Sequence, residues 1–136
     1  MSPKLIILVE DDLNLRQSIV LILERAGYLV DATECPYKAM NIMQSGNYQL
    51  VISDFNMPDT KKVLLPKVHE NYPNLFNVIL TDQSLPEIDM EDKQLRDQYL
   101  IKPIAPERLL DCVGKILVQK ENITNNKLEN LSVHPN

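Results

Sequence analysis

Two short apolar runs in this sequence each end in carboxylates. Residues 50–53 lead into Asp54, and residues 5–9 lead into Glu10 and Asp11. Both runs are typical of buried strands in a parallel sheet, and open α/β sheets bind ligands beyond the carboxyl ends of their strands. Ionised carboxylates gathered at one such edge repel one another, and a bound cation offsets that repulsion. Because hard carboxylate oxygens suit Mg²⁺, the pattern predicts a magnesium site.

The rest of the chain supplies elements that could position these acids. Apolar runs predict strands over residues 4–9, 28–32, 49–53, 77–80 and 99–101. Apolar residues at helical spacing predict helices after the first, second and last strands. Gly27 would end the first of these helices, and Pro36 and Pro106 would begin the other two. Pro66 interrupts the helical pattern after the third strand, which indicates a kink or a late start. A capping box at Ser84 and Glu87 favours a short helix before the fifth strand.

Alternating strands and helices predict an α/β fold with a parallel sheet and helices on both faces. All the strand-to-helix turns of such a sheet lie along one edge. We therefore expect that edge to carry Glu10, Asp11, Asp54, Thr81 and Lys102, which combine an acidic metal site with one hydroxyl and one cation. Asp12 is interpreted first as the cap of the first helix.

Composition limits the classes of function. The chain has 136 residues, 44% of them apolar, which fits one globular domain. A net charge of −5 disfavours an autonomous nucleic-acid binder. The apolar run over residues 5–9 is too short for a membrane span or the core of a signal peptide, so the expected location is cytoplasmic.

Cysteines and histidines offer no recognisable site in the sequence. Cys35 and Cys112 lie far apart, match no metal-binding spacing, and are interpreted as ordinary buried or half-buried thiols. His69 and His134 have no evident partner residues and are expected to be exposed.

Four segments together resemble the receiver domain of a two-component response regulator, over roughly residues 4–120. They are Ile7–Asp12, Ser53–Pro58, Val78–Thr81 and Tyr99–Pro103. The resemblance implies a flavodoxin-like (βα)5 fold, similar to chemotaxis receivers, with strand order 2-1-3-4-5. It also implies a receiver domain over residues 1–120, followed by a polar tail or the start of a linker over residues 121–136.

The same resemblance implies a role for each motif residue. Asp54 would accept the phosphoryl group, and Mg²⁺ would be bound by Asp11, Asp54 and the Asn56 backbone carbonyl, with Glu10 in the outer shell. Lys102 and Thr81 would contact phosphoryl oxygens, and Tyr99 would be the aromatic switch. The Lys102-Pro103 peptide bond would be cis.

The implied function is a phosphorylation switch rather than an enzyme, with at most slow self-dephosphorylation. The donor would be a sensor histidine kinase, and the phosphoryl charge would shift the population of conformations. Residues 82–118 would carry the change to a second copy of the chain, an output domain or an effector protein. No direct binding to nucleic acid or membrane is expected of this domain.

Two departures from the family pattern leave an alternative open. Asp82 follows Thr81 where the family usually has a small residue, and Lys62 stands where it usually has glycine. Asp82 is predicted to slow phosphorylation or weaken retention of the phosphoryl group. A phosphorylation-impaired binding module is therefore one alternative. A Mg²⁺-dependent aspartyl-phosphate phosphatase is less favoured, because Asn56 occupies the place of its general acid.

Overall fold

The computed structural model describes residues 5–82 and 97–118, so the predicted capping box at Ser84 and Glu87, the tail over residues 121–136 and His134 lie outside the described residues. Strands and helices alternate along the chain. The strands are β1 (Leu5–Val9), β2 (Leu29–Thr33), β3 (Leu50–Asp54), β4 (Phe76–Thr81) and β5 (Asp97–Ile101). The helices are α1 (Leu13–Arg25), α2 (Pro36–Gln44), α3 (Leu65–Asn71) and α4 (106–118).

The five strands form one parallel sheet in the order β2-β1-β3-β4-β5, as expected. Its register aligns the carboxyl ends of the strands: Val9 pairs with Ser53, Asp54 with Leu80, and Thr81 with Ile101. The residues that follow each strand are therefore brought to a single edge of the sheet, here called the carboxyl edge.

Alternation along the strands divides the core between the two faces of the sheet. Ile6 and Leu8 belong to an apolar cluster that includes Leu23 of α1 and Val113 of α4. The intervening residues of β1 face the opposite cluster, which α2 and α3 cover with Ala39, Met43 and Val68. Because β1, β3 and β4 are covered on both faces, their sequences are continuous apolar runs rather than alternating ones.

Local signals in the sequence set several element boundaries. Asp12 caps α1, since its side-chain Oδ1 accepts a hydrogen bond from the Leu15 amide at 2.9 Å. Gly27 follows α1 with a φ of 95°, a conformation in which a residue with a side chain would be strained. Pro36 occupies the first turn of α2, where its missing N–H is not needed.

The segment between β3 and α3 is less regular. Residues Thr60–Leu64 form a π-helical turn, and the α-helix proper begins only at Leu65, which places Pro66 in its first turn. The late start is thus the correct alternative for Pro66, because proline is tolerated where no intrahelical bond to its nitrogen is needed. Lys62 lies within the π-helical turn, so the loop after Asp54 enters its helix through a rare conformation.

Within residues 5–82 and 97–118, none of the helices has both the length and the apolar character that crossing a bilayer requires.

Candidate functional site

Three carboxylates converge at the carboxyl edge of the sheet. Glu10 and Asp11 directly follow β1, and Asp54 is the last residue of β3. One oxygen from each of the three residues lies within 4.8 Å of the other two. Glu10 and Asp54 are buried, with 1% and 4% of their surface exposed, whereas Asp11 is open to solvent. The structure therefore forms the acidic cluster that the sequence predicts.

The Asp54 carboxylate is held at both oxygens. Its Oδ1 accepts a hydrogen bond from the backbone N–H of Asn56 at 2.9 Å. Its Oδ2 accepts one from the ammonium of Lys102, also at 2.9 Å. Lys102 reaches this position because it directly follows β5, two strands away from β3 in the sheet. A charge-assisted hydrogen bond of this kind orients the carboxylate.

The second buried acid, Glu10, is only partly satisfied. Its Oε1 accepts from the backbone N–H of Asp12 at 3.1 Å, whereas its buried Oε2 has no hydrogen-bond partner among the described residues. Burial raises the pKa of Glu10 to about 7; the negative charge of Asp54 adds to the rise, and the Asp12 N–H and the Lys102 charge oppose it. An unpaired oxygen beside a second buried acid costs free energy that a bound cation would offset.

The donor set fits a hard divalent cation. Carboxylate oxygens from Glu10, Asp11 and Asp54 surround one position, and Glu10 supplies a buried oxygen that is not otherwise bonded within the described part of the chain. Oxygen-only sites with open positions are typical of Mg²⁺ rather than of metals that prefer nitrogen or sulfur. The Asn56 peptide lies next to this position, because its N–H donates to Asp54.

Thr81 and Lys102 are brought together at the same edge. Thr81 ends β4 and is fully buried. The backbone N–H of Lys102 donates to the Thr81 carbonyl at 2.7 Å, so the two residues are joined by the backbone. The Lys102-Pro103 bond that follows is cis, as the resemblance implies. The predicted hydroxyl and the predicted cation thus occupy adjacent positions at the edge.

Tyr99 lies in β5 and is half-buried. Its ring makes an edge-to-face contact with Phe55, the residue after Asp54, with ring centroids 6.1 Å apart and an interplanar angle of 71°. The Lys61 ammonium lies 5.7 Å from the centre of the Phe55 ring. The predicted switch residue therefore contacts the loop that follows Asp54, a relationship that the sequence does not indicate.

A pair of polar side chains at this edge is absent from the sequence prediction. The Asn56 side-chain amide donates to Asp82 Oδ1 at 2.7 Å, and the backbone N–H of Asp82 donates to Asn56 Oδ1 at 3.1 Å. The two residues are 26 positions apart, so no local spacing marks them as partners. We call this double hydrogen bond the Asn56–Asp82 clasp.

The prediction that His69 is exposed is wrong. Its side chain is only 23% exposed, and its Nε2 lies 3.1 Å from both carboxylate oxygens of Asp97, which is 1% exposed. Asp97 begins β5, so this pair lies at the amino end of the strand, away from the acidic cluster. The two cysteines are free thiols of intermediate exposure, as expected.

Comparison with known proteins identifies one family. Residues 6–114 match the response regulator receiver domain. The transcriptional regulatory protein BasR of Escherichia coli K12 is 29% identical over 119 residues, which are 86% of this chain and 54% of BasR. The chain therefore spans about half the length of that relative.

Solved structures give the same match. A CheY-like response regulator receiver domain protein from Methanospirillum hungatei has a TM-score of 0.77 at 26% identity, covering 89% of this chain and 98% of that one. The Thermotoga maritima response regulator TrrA, solved with Mg²⁺ and BeF, has a TM-score of 0.74 at 28% identity, covering 83% and 98%. A complex of histidine kinase ThkA with TrrA also matches, with a TM-score of 0.74 at 29% identity, covering 84% and 98%.

Proposed function

The chain belongs to the family of response regulator receiver domains, and from this membership we propose that Asp54 accepts a phosphoryl group with the help of Mg²⁺. The observation that carries the assignment is the Asp54 carboxylate itself. It is buried, paired with Lys102 at one oxygen, hydrogen-bonded to the Asn56 amide at the other, and adjacent to two more acids. A carboxylate oriented in this way is prepared to act as a nucleophile.

The donor that we propose is the phosphohistidine of a sensor histidine kinase. An Asp54 oxygen would bond to phosphorus while the phosphorus–nitrogen bond of the donor breaks, leaving an acyl phosphate on Asp54 and an imidazole on the kinase. The solved complex of ThkA with the similar protein TrrA supports a kinase as partner.

Mg²⁺ would be held by Asp11, Asp54 and the Asn56 carbonyl, with Glu10 in the outer shell. The ion supplies positive charge that offsets repulsion between the anionic nucleophile and an anionic donor. The structure of TrrA with Mg²⁺ and BeF supports this choice of ion. The raised pKa of Glu10, caused first by burial and then by the Asp54 charge, supports a site built to hold a cation, because a bound cation would offset both effects.

Lys102 and Thr81 would detect the phosphoryl group. Lys102 already contacts Asp54 and can move to a phosphoryl oxygen, and the Thr81 hydroxyl can donate to a second phosphoryl oxygen once the acyl phosphate forms. Tyr99 would respond as the aromatic switch. A difference in contacts between the two states is what a shift in conformational population requires.

The domain would act as a regulated phosphoacceptor, with at most slow self-dephosphorylation. We place the domain within residues 1–120, leaving residues 121–136 as a tail or linker, and propose the cytoplasm as its location. Residues 82–118 would face a second copy, an output domain or an effector; of these, residue 82 and residues 97–118 are described.

The test is the intact mass of the protein after treatment with acetyl phosphate and Mg²⁺. Wild type should gain the mass of one phosphoryl group, and Asp54→Asn should gain none. Omitting Mg²⁺ should suppress the gain. Absence of any gain in wild type, or an equal gain in Asp54→Asn, would contradict the proposal.

A further inference from the structure

The Asn56–Asp82 clasp joins two loops that approach the site from different strands. Asn56 lies two residues after the end of β3, and Asp82 is the first residue after β4. Both ends of the Asn56 side-chain amide are used: its nitrogen donates to Asp82 Oδ1 at 2.7 Å, and its oxygen accepts from the Asp82 N–H at 3.1 Å. A side chain bonded at both ends has little rotational freedom.

The residue fixed in this way is one that the site depends on. The Asn56 N–H donates to Asp54 Oδ1 at 2.9 Å, so the backbone of Asn56 is tied to the proposed nucleophile. Its carbonyl is the backbone ligand assigned to Mg²⁺ under the proposed function. Both residues of the clasp are exposed to solvent. The loop is also held by the Phe55 N–H, which donates to the Leu80 carbonyl at 2.7 Å, and by buried Met57, so the clasp adds to these contacts at the exposed residue Asn56.

We propose that Asp82 is a positioning residue for the cation site, acting through Asn56. By accepting the Asn56 amide, the Asp82 carboxylate holds the loop after Asp54 in the geometry that presents the Asn56 carbonyl. The inference rests on the proposed function, because it assumes that Mg²⁺ binds at the acidic cluster. Protein groups that are already held in place bind a cation more tightly, because they lose less conformational freedom on binding.

Simple electrostatics offers a competing explanation, which a matched pair of variants separates. The negative charge of Asp82 would attract a cation even if the clasp did nothing. Asp82→Asn removes the charge but keeps an oxygen that can accept from the Asn56 amide. Asp82→Ala removes both the charge and the acceptor. The difference between these variants therefore reports the hydrogen bond alone.

The experiment is calorimetric titration of the 136-residue chain with Mg²⁺, without any phosphodonor. We expect Asp82→Ala to bind Mg²⁺ roughly three- to tenfold more weakly than Asp82→Asn, the range that loss of one hydrogen bond gives. Asn56→Ala keeps the carbonyl but removes the clasp, and should bind more weakly than wild type by a similar factor. In the Asn56→Ala background, Asp82→Ala and Asp82→Asn should bind equally.

Two results would overturn the proposal. One is equal affinity of Asp82→Ala and Asp82→Asn in the wild-type background, which would leave charge as the only role of Asp82. The other is a difference between them that persists in the Asn56→Ala background. Circular dichroism of each variant checks that the exposed substitutions leave the fold intact. Failure of the proposed function is distinguishable, since it appears as absence of phosphorylation in wild type whatever the affinities are.

Discussion

The ammonium of Lys102 donates to Asp54 Oδ2 at 2.9 Å, joining residues that follow β5 and end β3 across the intervening strand β4. Within the described residues, this contact brings a positive charge directly against the buried Asp54 carboxylate, which also lies close to Glu10 and Asp11. The ion pair therefore orients the Asp54 carboxylate through a charge-assisted hydrogen bond.

Lys102→Ala should slow phosphorylation of Asp54. Without the ammonium, the Asp54 carboxylate loses the charge-assisted hydrogen bond that orients it, and the incoming phosphoryl group loses a cation that would stabilise its charge. We expect a decrease of about tenfold or more in the rate, as loss of a hydrogen bond to a charged group, about 1.5–3 kcal/mol, gives. The measurement is the time course of intact mass with acetyl phosphate and Mg²⁺.

Lys115→Ala is the matched control for that lysine. Lys115 pairs with Asp111 on the surface of α4, where both side chains are largely exposed. Exposed pairs contribute little to stability, so this variant should be phosphorylated at the wild-type rate. An equal slowing in both variants would argue against a specific role for Lys102.

Glu10→Gln should flatten the pH dependence of stability measured in the absence of metal. The pKa of Glu10 is about 7 in the folded chain against an ordinary value of 4.5, so the folded state holds the proton more tightly. Stability from this group is therefore greatest below pH 4.5 and is lost as pH rises through 7, by about 1–3 kcal/mol.

The measurement is urea unfolding in chelator between pH 5 and about pH 8, a window chosen to span the usual and raised carboxyl pKa values. Glu10→Gln should be more stable than wild type at the upper end and similar at the lower end. Glu24→Gln, on the exposed face of α1, serves as the control. A constant difference across the whole range would contradict the assignment of the raised pKa to Glu10.

Asp82→Asn should be phosphorylated faster than wild type when Mg²⁺ is saturating. Under that condition the metal site is full in both proteins, and the remaining effect is removal of a negative charge near the incoming phosphoryl group. We expect an increase of about two- to fivefold, as a solvent-screened interaction of about 1 kcal/mol gives. Unchanged rates of phosphorylation and of phosphoryl loss would show that the Asp82 charge is irrelevant.

His69→Ala should reduce stability without altering phosphorylation. The substitution removes a side chain that contacts both oxygens of the buried Asp97 carboxylate. Weaker pairing of a buried charge costs about 1–3 kcal/mol. Urea unfolding measures the loss, and His69→Gln, which retains a donor, should recover part of it. A phosphorylation defect in His69→Ala at a temperature where it is folded would contradict a purely structural role.

The sheet and the acidic cluster follow from the sequence because their causes are local. Buried parallel strands appear as apolar runs in the sequence. Glu10, Asp54 and Lys102 lie at the carboxyl ends of three strands, which meet at a common edge. Strand boundaries differ from prediction by one or two residues: β2 ends at Thr33 and β5 begins at Asp97. Polar Asp97 gives no strand signal, and its pairing with His69, 28 positions away, is not marked by any local spacing.

The remaining features depend on contacts between distant residues. The clasp, the His69–Asp97 pair and the Phe55–Tyr99 contact each join side chains from different elements, and no spacing along the chain marks them. The π-helical turn at Thr60–Leu64 is likewise invisible, because its residues are compatible with an ordinary helix. Only the packed structure decides these geometries.

The backbone bond between Lys102 and Thr81 has a consequence for how information leaves the domain. Lys102 and Thr81, the residues proposed to contact phosphoryl oxygens, lie at the ends of neighbouring strands. The Lys102 N–H donates to the Thr81 carbonyl at 2.7 Å, which joins these two ends. Under the proposed function, a displacement of either strand end on phosphorylation would therefore move the other end with it.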